Sequence, residues 1–212
     1  MSKVDERELK EFTRGQLDAA LCEPGKQAGV STARGIRMLL SGELVIQRSE
    51  KPQLLKPTGD PFVLPAQSGA FNVGEQFAEG KHADGVEIFA TDSTFREKFG
   101  GKVESGVPEV RITPYELTDE SRDPAIITAL GGKDRAEISL RHLRELMRRT
   151  QNGEVTVIQP GANVFYARDA EQVLWAFDVF WRDVLRGWHV LAHSVEDPGP
   201  WPRGDRVFSC DS

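Results

Sequence analysis

The chain has 212 residues, of which 39% are hydrophobic and 28% are charged, and its formal net charge is −6. This length and composition suit one medium domain, or a small domain with an appendage, that can bury a core of its own. The acidic balance and the lack of a lysine and arginine cluster argue against nucleic-acid binding by counterion release.

Residues 1–50 predict an N-terminal helical segment with one strand. Apolar residues recur at helical spacing over 3–22, with charged residues on the other side. A second helix over 31–42 can be capped by the hydroxyl of Ser31 or Thr32. A short strand is expected over 44–47.

The segment 51–69 is rich in proline, which cannot donate a backbone hydrogen bond and resists regular pairing. We therefore predict a linker or meandering loop between the N-terminal segment and an α+β domain over 70–212.

Five elements are predicted between residues 86 and 150 from apolar patterns bounded by capping residues or glycines. They are a strand over 86–90, a helix over 93–99 after Asp92 or Ser93, a strand over 110–112, a helical turn over 124–130 closed by Gly131, and a helix over 139–150.

After Gly153 the apolar period changes from helical to alternating, which predicts a β-meander over 154–212. Two short strands are expected around Val155 and Val157 and around Val164 and Tyr166. The stretch 173–182 fits both an alternating strand and a helical stripe.

A helix over 173–182 is supported by Asp169 and Gln172, which resemble a capping box. Its aromatic and β-branched content favours a strand, and 188–195 alternates as well. We therefore predict a hairpin joined through residues 183–187.

The two faces of this hairpin differ in chemistry. The inner face is predicted to hold Phe177, Val179, Trp181, Trp188, Val190 and Ala192. The outer face is predicted to hold Asp178, Phe180, Arg182, His189, Leu191 and His193. An apolar centre ringed by polar groups is typical of a binding patch, although another element of the same domain could equally cover it.

The tail has an unusual composition. All four tryptophans lie in the last forty residues, which contain no Ile, Met, Thr, Asn or Lys, although the preceding 172 residues contain 33 of these. These five are the amino acids whose codons all begin with adenine.

The tail resembles the C-terminal variable region of target proteins of diversity-generating retroelements. The resemblance rests on the run 163–169, on Trp181, Gly187-Trp188, Ala192, Ser194-Val195, Pro198 and Trp201, and on the run 204–209. In that family a reverse transcriptase randomises adenine-containing codons. The resemblance implies a C-type-lectin-like scaffold that displays varied side chains to a ligand, and no enzyme chemistry.

When the varied positions of that family are matched to this tail, the resemblance implies that ten residues contact the ligand. They are Asp178, Phe180, Arg182, Asp183, His189, Leu191, His193, Asp197, Arg203 and Asp205. The expected fold is α+β, with a helix-rich part to about residue 150 that supports the C-terminal antiparallel meander.

The expected partner is an unknown protein or glycan, with no cofactor, no metal, no nucleic acid and no membrane insertion. A homo-oligomer is compatible with the sequence. The first residues lack the apolar centre of a secretory signal, so synthesis in the cytoplasm is the default, and display on a surface or virion would need a partner.

Two other classes of function compete with ligand display. The N-terminal helix could dock to a neighbour in a viral or appendage assembly. His189 and His193 could bind a metal if their segment were helical, because residues four apart then lie one turn apart. A hydrolase built on Ser194 lacks a nucleophile elbow. His82 and His142 are predicted to be solvated.

Overall fold

Strands make up more of this protein than helices. The computed structural model describes residues 53–155, 162–196 and 199–211, of which 39% are in strands and 23% are helical. All of them belong to one unit, Pro52–Ser212. The elements predicted within residues 1–50 lie outside the described residues.

The strands are β1 (Leu55–Pro57), β2 (Phe62–Leu64), β3 (Phe71–Asn72), β4 (Gly80–Lys81), β5 (Glu87–Thr91), β6 (Val103–Glu104), β7 (Val110–Leu117), β8 (Asn163–Arg168), β9 (Leu174–Arg182), β10 (Gly187–Ser194) and β11 (Arg206–Asp211). The helices are α1 (Val73–Gln76), α2 (Ser93–Phe99), α3 (Asp123–Leu130), α4 (Lys133–Ala136) and α5 (Leu140–Gln151).

Nine strands form one mixed sheet in the order β1-β7-β11-β8-β9-β10-β5-β4, with β2 also paired to β7. The strands β8, β9 and β10 are antiparallel neighbours in chain order. The last strand, β11, enters between β7 and β8 and runs parallel to β8, while β5 runs parallel to β10. The predicted meander therefore lies inside a larger sheet.

Each face of the sheet buries a separate apolar cluster. The inner face carries Phe177, Val179 and Trp188, which pack with residues of α2 and α5. The opposite, outer face carries Val164, Tyr166, Leu174 and Ala176 along β8 and the first part of β9, under residues of α3 and α4. Neither cluster includes Phe180 or Leu191, which lie on the outer face beyond α3 and α4.

Several predicted elements are confirmed, and their ends follow the predicted caps. The Asp92 carboxylate accepts the Phe95 backbone N–H at 2.8 Å at the start of α2. Gly131 ends α3 in the left-handed conformation, and the Ser139 hydroxyl accepts the His142 backbone N–H at the start of α5. The strands predicted over 86–90 and 110–112 correspond to β5 and to the start of β7.

The hairpin prediction is also confirmed, since 173–182 forms β9 and not a helix. The apparent capping box is a tight turn instead. Asp169 accepts the backbone N–H groups of Glu171 and Val173 and the indole N–H of Trp175, and Gln172 has a φ of 66°. A carboxylate followed by polar residues fits such a turn as well as a helix start.

The predicted fold class is wrong. The described residues before 150 contain β1 to β7 as well as the helices, so no helix-rich first part supports a separate meander there. One mixed sheet covered by helices on both faces replaces the C-type-lectin-like scaffold that the resemblance implied. Several elements lie where their local patterns predict them, but long-range pairing brings early and late strands into one sheet.

Two smaller predictions need correction. The segment 51–69 is not only a loop, because β1 and β2 form within it and both pair with β7. These strands are only three residues long, and β1 ends at Pro57, consistent with proline lacking a donor. Val155 is not in a strand, and Val157 lies outside the described residues.

Candidate binding surface

The β9–β10 hairpin fixes which side chains face outward. Trp188 lies opposite Trp181, and His189 lies opposite Phe180, in an antiparallel register that runs without interruption from Gly187 to Ser194. Because side chains alternate along a strand, Asp178 and Phe180 share the outer face with His189 and Leu191. Most of the alternate positions are buried, with Trp188 1% exposed, and Trp181 is half-buried.

Gly187 brings β10 unusually close to β5. A Cβ atom at this position would lie 2.7 Å from the Phe89 Cβ and 3.0 Å from the Phe89 backbone nitrogen. The absence of a side chain therefore permits the approach that sets Phe89 beside the hairpin.

Four planar side chains form a row across β9, β10 and β5, called here the aromatic row: Arg182, Phe180, His189 and Phe89. The Arg182 guanidinium carbon lies 5.3 Å from the Phe180 ring centroid. The Phe180 and His189 centroids are 5.0 Å apart, and the His189 and Phe89 centroids are 4.9 Å apart, with interplanar angles of 12° and 26°. Stacked rings make this row a continuous rigid surface.

The aromatic row is accessible at its end. Phe89 is 44% exposed, and the turn that follows Arg182 in the chain contains Val184 at 94% and Leu185 at 36% exposure. The row therefore has an exposed ring at its Phe89 end, and the hairpin turn adds two exposed aliphatic side chains.

His189 lies between Phe180 and Phe89 in the row, and its surroundings favour the neutral imidazole. Burial lowers the pKa of His189, and the nearby charge of Arg182 lowers it further. Its Nε2 atom is buried and has no hydrogen-bond partner among the described residues. A neutral imidazole with an unused nitrogen keeps the capacity for one further hydrogen bond.

Two carboxylates lie further along the same face. Burial raises the pKa of Asp178 to about 6; the charge of Asp205 adds to this, and the backbone hydrogen bond with Asn163 opposes it. Burial likewise raises the pKa of Asp205 to about 6, against a backbone hydrogen bond with Ala162. One oxygen of each carboxylate is buried with no hydrogen-bond partner in the described part of the chain.

A hydrogen-bonded cluster at the other end of the outer face holds the turn that precedes β11. The carboxylate of Asp123, fully buried, accepts the Tyr166 hydroxyl at 2.8 Å and the Trp201 indole N–H at 2.8 Å. The Trp201 ring in turn contacts His193 edge-on, with centroids 5.6 Å apart. Burial raises the pKa of Asp123, and burial followed by the Asp123 charge raises that of Tyr166.

The structure gathers most of the ten predicted contact residues on or near the outer face. Asp178, Phe180, His189, Leu191 and His193 lie on it, Arg182 and Asp183 lie at the hairpin end, and Arg203 and Asp205 lie just before β11. Asp183 also accepts the Trp181 indole N–H at 2.9 Å, so it helps to hold the turn. Asp197 lies outside the described residues.

Phe89 and Trp201 belong to this surface but were not predicted as part of it. Because side chains alternate along β5, Phe89 lies on the face opposite to the buried Ile88. No local pattern, however, indicates that β5 pairs with β10. Trp201, named from sequence only as part of the resemblance, packs against the outer cluster. Only the tertiary contacts of each ring reveal its place.

The histidines do not form a metal cluster. His189 and His193 lie on one strand, where four residues span about 13 Å, and they contact different rings. No group of three or more His, Cys, Asp or Glu side chains suited to a metal occurs among the described residues. The prediction that His142 is solvated is wrong, because it is 3% exposed and burial lowers its pKa.

A cavity of about 470 Å³ lies away from this surface and is lined partly by Phe77, Phe95 and Arg96. Arg96 is paired with Glu79 at 3.5 Å and also donates to the Thr91 carbonyl, so its charge is already compensated. Within the described ranges no helix is both long and apolar enough to cross a membrane.

Comparison with known proteins adds no relative. No protein-family profile, curated protein or solved structure matched the chain.

Proposed function

We propose that this protein is a non-enzymatic recognition protein that binds a partner through the outer face of the β9–β10 hairpin, extended by Phe89. One observation carries the proposal: the aromatic row lies on a sheet face beyond the cover of α3 and α4, with Phe89 44% exposed at one end and Arg182, at the other end, exposed beside the hairpin turn. Rigid aromatic groups with accessible apolar neighbours are typical centres of protein interfaces.

The same arrangement separates binding from stability. Residues of β10 that alternate with the outer-face positions, such as Val190 and Ala192, are buried and hold the sheet. Exposed side chains of the hairpin, such as Arg182, Val184 and His193, can change at low cost, since surface substitutions usually alter the free energy of unfolding by less than about 0.5 kcal/mol. This property suits a surface diversified by a retroelement, which we propose as its origin.

The origin can be tested without the protein. The last forty codons of the gene are compared with neighbouring DNA for a near-copy that differs at adenines. A near-copy whose differences fall on outer-face codons supports diversification. If the flanking DNA has no such copy and no reverse-transcriptase gene, the proposed origin is wrong, whereas the binding function is unaffected.

Binding can be tested with a displayed library of random peptides selected on the immobilised full-length chain. Selected peptides are then measured against wild type, against Phe180→Ser/His189→Ser, and against Val63→Ser/Val173→Ser. The last pair replaces two side chains that are each 45% exposed away from the hairpin face, and it controls for loss of exposed apolar area.

We expect the first pair to abolish peptide binding and the control pair to preserve it, with all three proteins melting at similar temperatures. Peptides that bind all three equally would contradict the proposed site.

A further inference from the structure

The two outer-face carboxylates, Asp178 and Asp205, are not matched by a positive charge in the described structure. Neither forms an ion pair within the described ranges, and each has a buried oxygen without a hydrogen-bond partner. A carboxylate that is withdrawn from water and unpaired is unfavourable in its charged form. A cation that reached both would gain more here than at exposed carboxylates, because water screens the attraction less.

The nearest positive group on the same strand does not fill this role. Arg182 is four residues from Asp178, which on a strand corresponds to about 13 Å, and its guanidinium lies over the Phe180 ring. Burial and the Arg182 charge lower the pKa of His189, on the adjacent strand, which disfavours its cationic form. The surface therefore has a positive end at the hairpin turn and an uncompensated negative site further along.

Phe180 connects the negative site with the aromatic row. It lies two residues from Asp178 on the same face, about 7 Å along the strand. A long basic side chain can lay its aliphatic stem on apolar surface while its charged head reaches a carboxylate. The ring face of Phe180 also attracts a cation directly.

We infer that the partner is a protein segment that presents a lysine or arginine side chain to Asp178 and Asp205 and an adjacent apolar side chain to the aromatic row. This inference rests on the proposed function and adds the chemistry of the partner. The net charge of −6 favours approach of a basic segment over an acidic one. The exposed aliphatic groups Val184 and Leu185 favour a protein over a glycan.

The test uses the same displayed peptide library on the full-length chain. Peptides selected on wild type should be enriched in lysine or arginine next to an apolar residue. Their affinity for Asp178→Asn/Asp205→Asn should fall at least tenfold. The control is Asp60→Asn/Glu109→Gln, which removes the same two negative charges at exposed positions outside this face and should leave affinity within twofold of wild type.

A second readout is the pH dependence of binding. Because both carboxylates gain protons near pH 6, binding of the basic peptides should weaken between pH 7.5 and pH 5 in wild type. The Asp178→Asn/Asp205→Asn protein should lack this dependence.

The outcomes separate the two proposals. Peptides that need Phe180 and His189 but bind Asp178→Asn/Asp205→Asn as tightly as wild type would overturn the basic partner and leave the binding surface standing. The basic partner would also be overturned if the Asp60→Asn/Glu109→Gln control lost as much affinity as Asp178→Asn/Asp205→Asn. The loss of net negative charge alone would then explain the effect. Absence of any peptide that depends on Phe180 and His189 would overturn both proposals.

Discussion

The His189 ring stacks on the Phe180 ring across the β9–β10 pair, with centroids 5.0 Å apart and planes inclined by 12°. This contact joins two strands at the surface, whereas the cross-strand pair Trp181 and Trp188 meets edge-on on the inner face. The hairpin thus has one face that stabilises the sheet and one that is available for contact.

Replacement of phenylalanines on the two faces of β9 should have different effects. Phe180→Ala, at a half-buried outer position, should lower the free energy of unfolding by about 1 kcal/mol or less. Phe177→Ala, at a fully buried position, should lower it by about 3 to 5 kcal/mol. Urea-induced unfolding followed by tryptophan fluorescence measures both. Equal losses would mean that the outer face carries as much stability as the core.

Gly187→Ala should destabilise the contact between β10 and β5. The new methyl group would lie 2.7 Å from the Phe89 Cβ, and overpacking of this kind typically costs about 1 to 3 kcal/mol. Gly101→Ala is the matched control, since a Cβ there meets nothing within 4 Å. Thermal melting compares the two variants. If Gly187→Ala melted at the same temperature as Gly101→Ala, β5 would be able to move away from β10 without loss of stability.

Asp178→Asn should change how stability depends on pH. The pKa of Asp178 rises on folding to about 6, so the stability from this group is fully present below the unfolded pKa, near 4, and is lost as pH rises through about 6. Relative to wild type, Asp178→Asn should therefore gain about 2 kcal/mol between pH 4.5 and pH 7.5. Urea unfolding at both pH values measures this difference.

The control for this experiment is Asp60→Asn, at an exposed carboxylate. Its stability relative to wild type should be nearly the same at both pH values. A flat profile for Asp178→Asn as well would show that Asp178 is solvated.

Asp123→Ala should loosen the turn before β11. The substitution leaves the Tyr166 hydroxyl and the Trp201 indole N–H without their acceptor, and the expected loss of unfolding free energy is about 2 to 4 kcal/mol. Asp123→Asn keeps an amide oxygen that can accept, so its loss should be smaller. Proteolysis near Trp201 should be faster in Asp123→Ala than in Asp123→Asn. Equal behaviour of the two variants would mean that the hydrogen bonds do not hold this turn.

The elements that could be predicted from sequence are those with a strong local signal. The alternating residues of β9 and β10, the caps Asp92 and Ser139, and the terminating Gly131 all correspond to observed structure. The capping-box pattern at Asp169 misled because the same hydrogen bonds also form an isolated turn.

The surface was predicted only in part. Asp178, Phe180, His189 and Leu191 follow from the period of two along each strand. Phe89 could not be assigned to the surface, because it is about a hundred residues from His189 and reaches it only through parallel pairing of β5 with β10. The closeness of Asp205 to Asp178 likewise depends on β11 entering beside β8.

The sequence by itself determined which side chains of β9 and β10 share a face, because backbone geometry alternates side chains whatever surrounds the strand. Only the tertiary structure decided what lies beside that face: Phe89 at one edge, Asp205 at the other, and α3 and α4 ending before Phe180. The physical reason is that strand order depends on the packing of segments far apart in the chain, which no local pattern encodes.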